Sequence, residues 1–378
     1  MIRLTFVGDI ALDKPLLEAA KKRGNSGKDK YDFSDVFHTQ EVFAKSDLVV
    51  GNLETCFGGG QRYNTKPYHY NSPDSFCRAI KDAGIGLVST ANNHCMDEGI
   101  GGLKRTNQLL DDCGILHTGT YAENTTDRFF VKEFEGFKVA FYALTYSVNV
   151  CMESLACDDL YRNINLIGFS GKRIPLIKQY YRYVIKRKLN QIKRKKNKQS
   201  TISAHTDIFK QSMINEAWMS DIEKQLKRAK EQADLIVILL HIGGQFNTEP
   251  GDFSKHIVEL LADLGADIII GNHPHTVQKI DSKGKTFIAY SLGGYCMSPS
   301  AEYLVHDCLP EYSIALHVDI DESTGAFETS FDVLKGTEDH SAYLSVEKTK
   351  ADDPGAEIIR SRCRKLKSNY YEDHFVSR

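Results

Sequence analysis

The stretch that most restricts how this chain can fold runs from residue 233 to residue 278. Within it, Leu235–Leu240 and Ile268–Ile270 are unbroken apolar runs, the pattern of strands buried on both faces. Between them Phe253, Ile257, Leu260, Leu261 and Leu264 recur at helical spacing, with Asp252 placed to cap the start and Gly265 to end it. Strand, crossover helix and strand predict a βαβ unit whose two strands are parallel and close in one sheet. His241 follows the first strand, and His273 and His275 follow the second. Ligands of open α/β sheets collect at the carboxyl ends of the strands, so three imidazoles there point to a metal site. A single histidine at such a place is more often a hydrogen-bonded surface group. The rest of the chain has to decide.

It repeats the arrangement upstream. Residues 2–8 form an apolar strand that ends in Asp9. Leu48–Val50 is a buried strand leading through GNL to Glu54, and GIGLVST leads to Asn92, Asn93 and His94. Helices are expected from Pro15 to Lys22, from Pro73 to Ala83, after a cap at Asp97, and from Glu216 to Gln232. FFVKEFEGFKVAFYAL reads as a hairpin turned at Glu135-Gly136, TFIAYS as a strand, and EYSIALHVDI with AFETSFDVL as an antiparallel pair. Beyond Asp352 the chain turns polar and basic. Gly58-Gly59-Gly60 lacks the GxGxxG spacing and a following helix, so it carries no phosphate-binding weight.

Collected, the polar strand ends are Asp9, Glu54, Asn93, His94, His241, His273 and His275. Carboxylates, a carboxamide and imidazoles suit Zn, Mn, Fe or Mg better than a thiolate site would. The nine cysteines fit this, being odd in number and without a CxxC pair, as in a reducing compartment. A net charge of −2 gives no global attraction to nucleic acid or membrane, and no specific nucleic-acid partner is expected. MIRLTFVGDI enters a strand directly without a leader pattern, which makes cytoplasmic the expected location. No GxxxxGK[ST] run supports a P-loop nucleotide enzyme.

Residues 147–215 break the α/β rhythm. Within them, residues 171–199 hold about a dozen Lys and Arg and no acid. Ile177, Tyr181, Val184, Ile185, Leu189 and Ile192 recur at helical spacing, predicting a basic amphipathic helix. Lys186, Arg187, Lys188, Lys193 and Arg194 are its candidate anion-binding residues, for an anionic polymer or a peripheral contact with a membrane or other anionic surface. The alternative is a solvated helix whose apolar stripe packs on the body.

FVGDIALD, VVGNLET, STANNHCMDEG, LLHIGGQFNTEP, ADIIIGNHPHTVQ and AYSLGG, in that order, resemble the capsule and poly-γ-glutamate synthesis (CapA) family of the calcineurin-like metallophosphoesterase superfamily. The resemblance implies an α/β fold: a two-sheet mixed β-sandwich flanked by helices, here with a helical basic insertion. It would occupy residues 1–340, interrupted by 147–215, with 341–378 as a polar C-terminal tail. It implies one or two divalent metal ions at the strand ends. Asp9 and His275 would bind one metal, Glu54 would bridge, and Asn93, His241 and His273 would bind the second. His94 would protonate the leaving oxygen. The implied function is a metal-dependent hydrolase of phosphate esters acting on a phosphorylated small molecule. The alternative is a non-phosphatase component of anionic exopolymer synthesis or attachment, acting on an anionic polymer. Ala11 stands where the superfamily has the His of Asp-x-His, leaving the first metal one ligand fewer. His241-Ile242-Gly243, Gln245, Phe246 and Ser291-Leu292-Gly293-Gly294 replace the family's His-Trp-Gly, Glu-Tyr and Ser-Leu-Gly-Asn. These changes spare the implied ligands and alter substrate contacts.

Overall fold

Strands that are apolar at both odd and even positions must be covered on both faces, and a pair of stacked sheets meets that demand here. The computed structural model describes residues 1–24, 30–60, 63–64, 69–149, 162–168, 207–209, 214–301, 303–341, 343–363 and 375–377. The chain begins β1 (Ile2–Ile10), α1 (Lys14–Arg23), β2 (Phe37–His38), α2 (Gln40–Phe43), β3 (Leu48–Leu53), α3 (Asp74–Asp82) and β4 (Leu87–Ser89). It continues with α4 (Gly99–Asp112), β5 (Leu116–Thr118), β6 (Phe130–Phe134), β7 (Phe137–Thr145), α5 (Glu216–Gln232), β8 (Leu235–His241), α6 (Asp252–Asp263) and β9 (Ile268–Asn272). Then come β10 (Ile280–Lys283), β11 (Thr286–Ala289), β12 (Gly294–Cys296), β13 (Tyr312–Ile320), β14 (Phe327–Glu338), β15 (Leu344–Lys348), α7 (Pro354–Cys363) and β16 (Phe375–Ser377).

The first sheet runs β2-β15-β14-β13-β1-β3-β4-β5, with β12 also on β1 and β16 on β14. The second runs β10-β11-β9-β8-β7-β6. Both are mixed: β1, β3, β4 and β5 are parallel while β13 and β14 form antiparallel pairs beside them, and β7, β8, β9 and β11 are parallel between antiparallel edges. Alternation sorts the side chains. Leu235, Val237 and Leu239 of β8 face Leu4 and Phe6 of β1 across the inter-sheet core. Ile236, Ile238 and Leu240 turn outward onto Ile222 and Leu226 of α5 and Ile257 and Leu261 of α6. The outer face of the first sheet is covered by Leu16 and Leu17 of α1, Phe76 and Ile80 of α3 and Leu110 of α4. Each such side chain, fully buried, contributes about 1.5–3 kcal/mol. The mixed α/β sandwich flanked by helices is the expected fold.

Several expectations hold in detail. β8, α6 and β9 form the parallel unit, in register Val237↔Ile268, and α5 spans Glu216–Gln232 with Asn215 as its cap. The hairpin turns through Glu135 and Gly136, at φ 47° and 99°, the positive pair that a tight two-residue turn requires.

Two caps differ. Gly251, not Asp252, is the cap residue of α6, and it has no side chain to offer. Asp207 supplies the acceptor instead, taking Gly251 N at 2.7 Å, Ser254 N at 2.9 Å and Ser254 Oγ at 2.7 Å. Asp97 does not cap α4, whose cap position is Glu98 without a side-chain bond. Its carboxylate is engaged by a histidine described below.

β15 and α7 both lie beyond residue 341. β15 joins the first sheet, and α7 buries Ala356, Ile359 and Cys363 in the inter-sheet core. Arg362 Nη1 of α7 donates to Thr276 Oγ1 and to the Cys308 carbonyl, each at 3.0 Å. The helix expected over residues 171–199, with Lys186, Arg187, Lys188, Lys193 and Arg194, lies outside the described residues. Among the described residues no helix is long and apolar enough to cross a membrane.

Candidate metal centre

The carboxyl ends of β1, β3, β4, β8 and β9 meet at one edge of the sandwich, and close backbone approaches hold them there. A Cβ on Gly8 would stand 1.8 Å from the Gly293 carbonyl oxygen, so only glycine lets that segment lie against β1. Asp9 N donates to the same carbonyl at 3.0 Å. A Cβ on Gly271 would stand 2.0 Å from the Tyr290 oxygen, so β9 also needs glycine just before its histidines. His273 and His275 follow with φ of 100° and 55°. Such backbone costs on the order of 1–3 kcal/mol per residue and collects at functional sites.

This edge brings Asp9, Glu54, Asn93, His241, His273 and His275 together. His275 Nδ1 lies 2.9 Å from Asp9 Oδ2 and 3.6 Å from Glu54 Oε2. His241 Nε2 lies 2.8 Å from Asn93 Oδ1, 3.1 Å from His273 Nδ1 and 3.7 Å from Glu54 Oε1. Two groups result, Glu54–His241–His273 and Asp9–Glu54–His275, each with its ligand atoms within 4.8 Å of one another. Glu54 belongs to both, the position of a bridging carboxylate. His94 stands beside them, its Nε2 3.9 Å from Glu54 Oε1.

Glu54 provides the test of fit. It is fully buried, and neither carboxylate oxygen has a hydrogen-bond partner. Burial first, then the charges of Asp9 and Asp97, push its pKa well above the usual carboxylate range. A carboxylate in that position needs a proton or a cation, and the surrounding nitrogen and oxygen donors suit a divalent cation. Burial, reinforced by His273, His275 and His94, holds His241 well below the ordinary imidazole pKa. It is therefore neutral, the form that coordinates. The residues fit one or two such ions.

Four further polar residues, none of them among the implied ligands, stand in or beside the centre. Asp97 accepts from His94 Nδ1 at 2.6 Å and from Tyr70 N at 2.7 Å, so His94 carries its proton on Nδ1 and turns Nε2 to Glu54. The Tyr70 ring lies 4.3 Å from the His94 ring. Asn92 takes His94 N on Oδ1 at 3.1 Å and donates to the Leu53 carbonyl at 2.7 Å. Asn52 Nδ2 donates to Asp9 Oδ1 at 2.7 Å and lies 3.1 Å from His241 Nδ1. Gln245 reaches His275 Nε2 at 3.5 Å. Asn52 in GNLE and Asn92 in NNH each stand beside an implied ligand, the signal the sequence offered for these two. The place where the superfamily has a further histidine is closed: Ala11 is buried among Phe246, Met297, Ala301, Leu304 and Val305.

Residues 3–298 match the model of the family described as "Bacterial capsule synthesis protein PGA_cap". The chain is 24% identical over 345 residues to the PGA biosynthesis protein CapA of Bacillus subtilis (strain 168), covering 89% of this chain and 73% of that one. It is 25% identical over 298 residues to the capsule biosynthesis protein CapA of Bacillus anthracis, covering 78% of this chain and 59% of that one. A crystal structure of a hypothetical protein from Thermus thermophilus superposes with a TM-score of 0.41 at 13% identity, covering 92% of this chain and 100% of that one.

Proposed function

This chain belongs to the PGA_cap family of bacterial capsule synthesis proteins, within the metallophosphoesterase-like superfamily, and on that premise we propose that it is a metal-dependent hydrolase of phosphate esters. The observation that carries the reading is Glu54, a buried carboxylate without donors, shared by two ligand groups. Asp9, Glu54 and His275 would hold one divalent cation, and Glu54, Asn93, His241 and His273 the other. A bound divalent cation supplies Lewis acidity toward a phosphoryl oxygen. His94 holds the proton that a leaving oxygen needs: with Nδ1–H fixed by Asp97, its Nε2 faces the centre, and the protonated ring delivers from that atom. Tyr70 packs on the same ring and keeps it in place.

A second reading has its own support, in relatives named for PGA and capsule biosynthesis and in the basic stretch 171–199. On it the protein serves anionic exopolymer synthesis or attachment without acting as a phosphatase.

Protein purified without chelator, assayed for bound metal and for turnover of p-nitrophenyl and alkyl phosphate esters with Mn, separates them. The hydrolase should carry metal and turn over, and His241→Ala with His273→Ala should lose both. His94→Ala should keep its metal and lose about 10²- to 10⁴-fold on alkyl esters, and least on p-nitrophenyl esters, whose leaving oxygen hardly needs a proton. Wild-type protein that neither holds metal nor turns over any ester, yet binds polyglutamate in a salt-dependent way, would establish the second reading in its place.

A further inference from the structure

His275 lies between β9 and β10 with a φ of 55°, so its side chain is aimed by the contacts of its neighbours and not by a strand. Thr276, the next residue, is fully buried, and its Oγ1 gives its hydrogen to the Cys308 carbonyl at 2.6 Å. The same oxygen is left as an acceptor, and Arg362 Nη1 of α7 donates to it at 3.0 Å. Arg362 Nη1 also lies 3.0 Å from the Cys308 carbonyl and 3.4 Å from the Val277 carbonyl. One guanidinium nitrogen thus shares its two hydrogens among three oxygens of two segments. On the opposite flank the Cys308 thiol donates to the Phe246 carbonyl at 3.0 Å, and Phe246 N donates to the Pro274 carbonyl at 2.7 Å. Phe246 has a φ of 61°, a third left-handed residue beside His273 and His275. These links close a circuit of contacts around the turn that carries both histidines. Arg362 completes it from 86 residues beyond Thr276, past residue 298, where the family match ends. Burial holds the Arg362 pKa below the ordinary guanidinium value, the cost of setting a charge against neutral oxygens. An apolar side chain would pack α7 without that cost.

We propose that Arg362 is a positioning residue for the metal centre: by fixing Thr276 and Cys308 it holds His275 where its Nδ1 meets Asp9 and Glu54. The asymmetry between the two histidines favours this. β9 runs to Asn272 and holds His273 from behind, whereas His275 stands two residues further on, against Thr276. Residues that orient a metal ligand are worth about 10- to 100-fold in metal affinity, and that is the share Arg362 carries. The proposal rests on the metal-centre reading above.

The test is Zn²⁺ binding by the full chain, measured by calorimetry, with the unfolding temperature of each metal-free protein taken alongside. His275→Ala defines the affinity that depends on that ligand. Arg362→Ala should lose about 10- to 100-fold of it, and millimolar guanidinium, but not sodium at the same ionic strength, should restore it. Thr276→Val, which removes the acceptor and disturbs α7 least, should weaken zinc in the same way without rescue. In a His275→Ala background, Arg362→Ala should change zinc affinity by less than about 2-fold. Unchanged affinity in Arg362→Ala or in Thr276→Val, whatever the unfolding temperature does, would make Arg362 an anchor for α7 alone. So would equal losses with and without His275. If Arg362→Ala does not fold, Thr276→Val decides by itself. Each of these failures overturns the positioning role and leaves the metal centre standing. Zinc uptake indifferent to His275→Ala also overturns it, and no zinc uptake by the wild-type chain overturns both.

Discussion

At the scale of single residues, burial decides which charges are ordinary and which are not. Asp13 accepts from Leu16 N at the start of α1 and from both Ser298 N and Ser298 Oγ, yet burial pushes its pKa up to about 6. Its folded pKa is thus higher than its unfolded one, so the folded state binds the proton more tightly. Below the unfolded pKa Asp13 contributes no such penalty; the penalty grows as pH rises from about 4 to 6 and is complete above that, on the order of 3 kcal/mol. Asp13→Asn should therefore flatten the stability profile between pH 4 and 6, measured by denaturant unfolding against wild type, whereas parallel profiles would show that Asp13 is not the source. Asp97 teaches what a single residue hides from sequence. An acid just ahead of a helical run is the signature of a cap, and nothing in NNHCMDEG reveals that its carboxylate turns back three residues to His94. The candidate ligands were legible for the opposite reason, because each stands just past a strand whose apolar run marks where the strand stops.

At the scale of elements, period and composition located the long strands and helices; short strands such as β2, β5 and β15 escaped, and so did contacts made across long loops. Capping rules look one to four residues along the chain, so Asp252 was the local candidate for α6, while Asp207 lies 44 residues before the Gly251 amide it binds. The structure separates the two. Asp207→Ala should cost about 1–2 kcal/mol by losing the acceptor at the head of α6, and Asp252→Ala only a few tenths. Equal effects in chemical denaturation would return the cap to Asp252. Asp207 also lies near the end of the insertion, and Asn149, whose backbone N–H donates to the Asn93 carbonyl at 2.8 Å, lies near its start. The insertion is thereby pinned to α6 at one end and to the ligand-bearing loop after β4 at the other, an attachment that a break in α/β rhythm gives no means to foresee.

At the scale of the molecule, the apolar runs marked strands covered on both faces, and the resemblance to the family, not the runs, implied their arrangement as a sandwich; the strand order was in neither. Nothing in the sequence says that β13 lies against β1, or that β12 adds a third neighbour to it. The two sheets meet at the candidate centre, so ions bound there should also hold the sheets together. Stripping metal with a chelator should lower the unfolding temperature, with about 2.7 kcal/mol restored when free Zn²⁺ or Mn²⁺ reaches a hundred times its dissociation constant. An unfolding temperature indifferent to metal would place the ions outside the load-sharing part of the fold. The order of the ligands along the chain matters before any of this applies. Asp9, Glu54 and Asn93 are made in the first quarter of the sequence; His241, His273 and the Gly293 carbonyl that receives the Asp9 amide come after residue 240. A ribosome making this protein completes these three oxygen donors and His94 early and then extends the chain by well over a hundred residues before His241 emerges. β1 meanwhile lacks its neighbour β13. On the metal-centre reading, cation capture would be a late event of biosynthesis, since a product stalled before β9 would lack both His273 and His275.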